Sequence, residues 1–155
     1  MRLMWPQGLG LRAFYDPLFH RLSLVSNVID DDAEGRTFAE RLAISFSRSG
    51  EFRDLEFTAG SVAVGPFAKP NQWTTQDSVG AWVPDIREPR LTLSSDGAAL
   101  VQLTSSAVYR WVHVVDTPVF VGLTADEALA AIYVESFTED PEGTHEAAWL
   151  DTFDC

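Results

Sequence analysis

The residues that could do acid–base chemistry are three histidines with carboxylates nearby in the sequence. His113 precedes Asp116 by three residues, His20 follows Asp16 by four, and His145 stands in an acidic segment. A general base must meet its partners in space, and the step from a strand into a turn need not bring two such side chains together. We therefore expect His113 to be a hydrogen-bonded sheet residue and not a base.

The acidic run at residues 30–35 has part of the spacing of a calcium-binding loop. Asp30, Asp32 and Glu34 occupy its first, third and fifth positions, and a glycine occupies the sixth. Position 12 of such a loop is a bidentate glutamate, but here it is an arginine, and Glu40 comes one residue early. We interpret the run as an acidic surface turn.

The sequence lacks the residues that other common catalytic and metal sites require. No His, Cys and Asp spacing matches a zinc or iron site, and there is neither a G-x-S-x-G sequence nor a phosphate-binding loop. The only cysteine, Cys155, is the last residue, which excludes an internal disulfide framework. We predict no catalytic residue, no metal and no cofactor, and hence a protein that is not an enzyme.

The elements that would position any site are strands. Apolar and polar residues alternate over 22–28, 42–46 and 55–57, the first of these within a half-buried strand predicted over Leu18–Ile29, and turn signals recur at short intervals. The pattern predicts a mainly β chain: a sandwich or barrel-like antiparallel sheet of about eight or nine strands, with one or two short C-terminal helices. An α+β fold is the alternative.

Residues 90–123 predict a β-meander. Asp96-Gly97 stands between two extended runs, which is typical of a two-residue type I′ hairpin and would place Leu93 opposite Leu100. The predicted core contains seven apolar residues: Leu42, Ile44, Phe46, Leu93, Leu100, Val112 and Val114.

Two helices are predicted after the meander. Thr124 and Glu127 form a capping box, followed by apolar residues at helical spacing. The competing interpretation is a strand over Ile132–Phe137, which is rich in β-formers. A short terminal helix is predicted over Thr144–Phe153.

The chain is predicted to contain an apolar N-terminal arm, residues 1–17, and one β-rich domain, residues 18–155, that ends in an acidic segment, residues 124–155. The arm is aromatic and has no clean period, so it needs cover from its own domain or from a neighbour. Pro6, Gly8 and Gly10 interrupt its apolar residues, which argues against a signal peptide.

Charge is concentrated at one end of the sequence. The formal net charge is −12, and residues 111–155 contain ten acidic residues and no basic one. Such a block is either a solubilising surface or a surface for a basic partner, and it disfavours nucleic acid. No apolar run is long enough to cross a membrane. We expect a protein that is cytoplasmic when made, or part of a virion.

These observations favour a non-enzymatic protein that binds other proteins or copies of itself. The first hypothesis is a structural subunit of a larger assembly, such as a bacteriophage virion or tail-completion protein. The second is an acidic inhibitor or immunity-type protein that covers a basic site, and the third is a small-molecule-binding β-barrel or enzyme. Predicted partner-binding residues are Trp5, Phe14, Tyr15, Trp73, Glu139, Asp140, Glu142 and Glu146.

Overall fold

The computed structural model describes residues 1–28, 33–39 and 41–152. These residues form fifteen strands and one short C-terminal helix, which confirms the predicted mainly β fold. The strands are shorter and more numerous than predicted. Among the described residues no sheet closes on itself, so the barrel-like alternative is wrong.

The strands form two large sheets and one two-stranded ribbon. The seven-stranded sheet contains, in spatial order, β7 (Val62–Val64), β10 (Arg90–Leu93), β11 (Ala99–Gln102), β14 (Leu129–Val134), β13 (Val119–Leu123), β12 (Arg110–Val114) and β8 (Thr74–Gln76). The six-stranded sheet contains β15 (Thr138–Glu139), β2 (Leu11–Asp16), β3 (Arg21–Ser26), β6 (Phe52–Thr58), β5 (Leu42–Phe46) and β4 (Glu34–Ala39). The ribbon pairs β1 (Arg2–Trp5) with β9 (Val79–Trp82), and the helix is α1 (Thr144–Asp151).

One apolar core joins the two large sheets, because alternate residues of their strands point into it. Its members include Leu22, Leu24, Leu42, Ile44, Leu55, Leu91, Val101, Val112, Val121 and Ile132. Of the seven predicted core residues, five are buried and Phe46 is partly buried against the core. The seventh, Leu100, lies on the other side of its sheet, in a separate cluster with Phe120 and Tyr133.

The β10–β11 hairpin explains the position of Leu100. Leu93 pairs with Ala99, one residue away from the predicted Leu100. The turn begins at Ser94, whose carbonyl accepts the Gly97 N–H at 3.3 Å, and Gly97 has a φ of +89°. This is a turn with one left-handed glycine, not a two-residue I′ turn. A shift of one residue moves a side chain to the opposite face of a sheet.

The predicted meander is also rearranged. Strands β12, β13 and β14 follow one another as hairpins, but β11 pairs with β14 and not with β12. This order is a Greek key, in which the strand before three consecutive strands lies beside the last of them.

The prediction of a helix after Thr124 is wrong. The competing prediction of a strand is correct, although the strand begins and ends three residues earlier than predicted. Residues 129–134 form β14, and all six are buried between β11 and β13. The Thr124 hydroxyl accepts the Ala128 N–H at 3.1 Å, which caps a turn and not a helix. Tertiary burial on both faces therefore overrides the local capping pattern. The terminal helix is present over Thr144–Asp151.

Residues 1–17 belong to the sheets. The segment supplies β1 and β2, and Leu3 and Trp5 are completely buried in the core. The segment therefore finds its cover within its own domain, which is one of the two alternatives predicted for it.

Candidate functional site

The ring of His113 is held by two contacts. Its Nε2–H donates to the carbonyl oxygen of Thr117 at 2.8 Å, and the ring stacks on Phe120 with 4.5 Å between centroids. Asp116 is exposed in the intervening turn, with a φ of +60°. His113 thus stabilises the turn between β12 and β13, as expected of a hydrogen-bonded sheet residue.

Among residues 1–28, 33–39 and 41–152, no three His, Cys, Asp or Glu side chains lie close enough together to hold a metal ion. Of the residues considered for a calcium-type loop, Glu34 begins β4. Asp30, Asp32 and Glu40 lie outside the described residues, as does Cys155.

Three aromatic residues predicted to bind a partner are buried within the chain. Trp5 is completely buried and stacks on Phe52 at 5.4 Å between ring centroids. Tyr15 packs against the edge of the Phe137 ring, and Phe14 is 4% exposed. The predicted binding role is corrected for all three, because buried rings offer no surface to a partner.

The predicted acidic residues near the C-terminus occupy different environments. Glu139 and Glu142 are exposed, whereas Asp140 is 3% exposed. The Asp140 carboxylate accepts the N–H groups of His145 at 3.0 Å and Glu146 at 2.9 Å. Burial acts to raise the Asp140 pKa, but these backbone bonds outweigh it and hold the pKa below its usual 3.8. The N-cap residue of α1 is Gly143, and the Asp140 carboxylate caps the first turn from outside the helix. This structural role replaces the predicted partner contact.

Helix α1 lies over the outer side of the six-stranded sheet through a few polar contacts. The Arg12 guanidinium stands 4.0 Å from the centre of the Trp149 ring. Burial raises the pKa of Glu146, and the nearby carboxylates, Asp140 first, raise it further, against a smaller effect of Arg21. None of the helix residues is buried, so this contact depends on charge more than on apolar area.

Trp73 belongs to an aromatic cluster on the outer side of the seven-stranded sheet. We call this cluster the aromatic face; its members are Phe67, Trp73, Trp111, His113, Phe120 and Tyr133. Trp73 is 50% exposed and contacts the Phe120 ring edge-on, at 5.3 Å between centroids. Its ring is therefore fixed on one side and open to solvent on the other. Trp73 therefore covers Phe120 and still offers a solvent-facing surface, so its partner binding stays a prediction.

Strand register brings the aromatic face together. His113 pairs with Phe120, Phe120 with Tyr133, and Tyr133 with Leu100, so these side chains form one row across four strands. Cross-strand neighbours of this kind pack directly against one another. Sequence reasoning did not find the row, because it depends on the pairing of β11 with β14.

A glycine makes room for the ring of Trp111. A Cβ atom placed on Gly122 would come within 3.0 Å of the Trp111 ring and of Val108. Gly122 is the cross-strand partner of Trp111, so the ring lies over its backbone. Such close approach of an aromatic ring to a strand glycine needs the absence of a side chain.

Carboxylates surround one end of the aromatic face. We call Asp77, Asp96, Asp116 and Glu135 the acidic rim; all four are exposed and follow strand ends at the same end of the seven-stranded sheet. Lys69 contacts Asp96 at 2.7 Å. Burial raises the pKa of the Tyr133 phenol, with Glu135 adding to the rise and Lys69 opposing it. The rim is thus predominantly negative.

The most exposed adjacent pair of large apolar residues lies elsewhere, in the turn between β2 and β3. We call residues Pro17–His20 the hairpin tip. Leu18 is 71% exposed and Phe19 is 60% exposed. Their exposure differs from the sequence-based prediction, in which Leu18 and Phe19 begin a half-buried strand. The available signal was Asp16-Pro17, which favours a turn.

A surface cavity of about 390 Å³ contains charged groups but offers no chemistry. It is lined in part by Asp85, Arg87, Glu88 and Arg90. Arg87 is paired with Asp85 at 2.9 Å, and both side chains are more than 70% exposed. Exposed, paired charges of this kind are ordinary surface contacts.

Comparison of the sequence with models of protein families gave no match, and comparison with curated proteins gave none either. No helix in the described part of the chain is long and apolar enough to span a membrane.

Proposed function

We propose that this chain is a non-enzymatic protein–protein interaction protein that serves as a structural subunit of a larger assembly, and that the aromatic face is its contact surface. The observation that carries the proposal is Trp73, which is half exposed and yet fixed edge-on against Phe120. Small bacteriophage virion and tail-completion proteins are an example of this class.

The energetics of protein interfaces support this role for Trp73. Binding energy is concentrated in a few residues, and tryptophan is among the most frequent. A ring that is already fixed in the free protein loses little conformational freedom on binding. The surrounding rings and the acidic rim would supply an apolar centre with a polar border, which is the usual composition of an interface.

The acidic rim also supports the second candidate, an inhibitor or immunity-type protein that covers a basic site. Asp77, Asp116 and Glu135 could face basic residues of a partner across the contact. The two candidates differ in stoichiometry. A structural subunit forms an assembly with many copies, whereas an inhibitor forms a closed complex with one basic protein.

The experiment begins with untagged protein from its native source and identifies the protein that accompanies it. Association with that purified partner is then measured for wild type, Trp73→Ala and Trp82→Ala. Trp82 is 53% exposed on β9, outside the aromatic face, and is the matched control. Loss of a hot-spot tryptophan costs about 2 kcal/mol or more, or about 30-fold in Kd.

We expect Trp73→Ala to weaken binding by that factor and Trp82→Ala to leave it within about twofold of wild type. Equal effects of the two variants, or none, would remove the aromatic face as the contact surface. Circular dichroism and urea denaturation of each variant separate loss of binding from loss of folding.

A further inference from the structure

Residues 65–73 cross the outer side of the seven-stranded sheet from one edge to the other. We call this segment the strap; it joins β7, the first strand in spatial order, to β8, the last. Ala63 of β7 and Thr75 of β8 belong to one cross-strand row, which also contains Tyr133 and Phe120. The strap therefore spans the full width of the sheet, along the central row of the aromatic face.

Three side-chain contacts hold the strap against the sheet between these edges. They are Phe67 with Tyr133 at 6.0 Å between ring centroids, Lys69 with Asp96 at 2.7 Å, and Trp73 with Phe120 at 5.3 Å between ring centroids. Pro70 lies between the second and third of these contacts and is buried. The strap thus covers the rings of Tyr133 and Phe120.

The strap has almost no spare length. Six strand spacings separate β7 from β8, which is about 29 Å at about 4.8 Å per spacing. The strap must also rise over the side chains of the sheet, and a path that reaches the usual layer separation of about 10 Å at its middle is about 35 Å long. Ten residue steps join Val64 to Thr74, and a fully extended chain of that length reaches only about 33–36 Å. The path over the rings therefore needs nearly the whole reach of the chain.

The sequence of the strap favours this extended path. Pro66 and Pro70 each have a fixed φ and push the preceding residue toward extended backbone. Residues 66–70 accordingly form neither a turn nor a helix. A chain that is already extended cannot gain reach by unwinding, so the strap can obtain slack only at its ends.

The two ends of the strap are fixed with different strength. At the first end, Val62 of β7 packs against the core, and the Gly65 N–H donates to the Leu93 carbonyl oxygen at 3.1 Å. At the second end, β8 pairs with β12 over three residues, and all three are exposed. β8 is therefore the end that separates first.

We propose that the strap is a cover whose opening requires β8 to separate from β12. While β8 stays paired, the strap lacks the length to lift away from Tyr133 and Phe120. Once β8 separates, the two rings and the edge of β12 become accessible together. The inference rests on the proposed function, because it states how the aromatic face is regulated. A ligand that favours one of the two events must also favour the other.

The test adds length to the strap and measures whether the two events become independent. In the lengthened chain, Gly-Ser-Gly is inserted between the exposed residues Asn71 and Gln72 and adds about 10 Å of reach. The control chain carries the same insertion between Ser105 and Ser106, which are exposed in the loop before β12. Phe67→Ala is then made in the original, lengthened and control chains. Exchange of the amide hydrogens that join β8 to β12 is measured in each chain, with and without the substitution.

Phe67→Ala weakens the strap at its middle, so it should affect β8 only through a shared opening. We expect exchange of these amides to become at least about tenfold faster in the original and control chains. In the lengthened chain the strap can open alone, and exchange should change by less than about twofold. Each effect is taken relative to the amides of β6, which report global unfolding.

Equal acceleration in the original and lengthened chains, or no acceleration in the original chain, would overturn the proposal. Lys69→Ala repeats the measurement through a second contact, with the same pattern and a smaller effect, and serves if Phe67→Ala does not fold. The measurement takes place within one chain and needs no partner. Its failure therefore leaves the comparison of Trp73→Ala with Trp82→Ala to decide whether the aromatic face binds proteins.

Discussion

The two large sheets cover their outer sides by different physical means. On the seven-stranded sheet, the loop that carries Phe67 and Trp73 lies over Phe120 and Tyr133 through ring contacts of 5.3 to 6.0 Å. On the six-stranded sheet, helix α1 is held through its Asp140 cap and a cation–π contact, while the carboxylates around Glu146 repel one another.

Because of this difference, the two covers should respond differently to pH and salt. Contacts between aromatic rings depend on buried area and geometry and change little with pH or salt. Contacts between charged groups depend on protonation and ionic strength. We therefore expect the aromatic face to behave as a permanent surface and the helix cover to be the more condition-dependent part of the molecule.

The largest expected effects come from a matched pair of phenylalanines. Phe120 is 6% exposed in the aromatic face, and Phe14 is 4% exposed on the outer side of the six-stranded sheet. Truncation of a buried phenylalanine costs about 3–5 kcal/mol, so Phe120→Ala and Phe14→Ala should lower the free energy of unfolding by similar amounts in urea titrations.

The local consequences of these two variants should differ. Hydrogen exchange should increase at residues 65–77 in Phe120→Ala and at residues 138–152 in Phe14→Ala, with little change at the opposite site. If hydrogen exchange increased in both segments in each variant, the two covers would open as one cooperative unit. The contrast between the two sheets would then be wrong.

Much of the core was predictable from the sequence, since period-2 alternation is a local property. Leu42 and Ile44 are buried as their strand pattern indicated. Leu3 and Trp5 also alternate with Arg2 and Met4, so the strand character of the first residues was available but was obscured by the nearby glycines and prolines.

The aromatic face was not predictable in the same way. Its central row requires β14 to be a strand and to pair with β11, whereas the capping pattern at Thr124 favoured a helix. Long-range pairing overrode the local signal, and the same pairing brings Tyr133 beside Phe120. The hairpin tip was missed for a simpler reason, because Leu18 and Phe19 are apolar and were assigned to a strand.

A smaller effect should follow loss of the helix cap. Asp140→Ala removes the acceptor for the N–H groups of His145 and Glu146, and loss of an N-terminal cap costs about 1–2 kcal/mol. Hydrogen exchange should show α1 opening while the aromatic face is unchanged. Asp140→Asn is the control, since its amide oxygen can still accept one of the bonds. If hydrogen exchange in α1 were unchanged in Asp140→Ala, the contact between Trp149 and Arg12 would be sufficient to hold the helix without the cap.

The smallest expected effect concerns Glu146. It is the most direct test of whether the helix cover of the six-stranded sheet depends on charge. Its folded-state pKa is raised above its usual 4.5, first by burial and then by Asp140, Glu56 and Asp54, with Arg21 opposing. A carboxyl with a raised pKa stabilises the folded form below its unfolded pKa and loses that contribution as the pH rises through the folded value. Protection of the α1 amides against hydrogen exchange should therefore increase as the pH falls from 7 toward 4.5. Asp54, whose pKa burial also raises, acts in the same direction.

Asp140 gives the opposite dependence at lower pH. Its pKa is held below 3.8, so its contribution is present above that value and is lost as the pH falls through the lowered pKa. Protection of α1 should thus pass through a maximum in mild acid. Glu146→Gln should raise protection at pH 7 and flatten the rise between pH 7 and 4.5, by an amount smaller than the loss in Asp140→Ala. Amides of residues 65–77 serve as the internal reference, and an equal rise there would mean that pH acts on the whole fold and not on the charged cover of the six-stranded sheet.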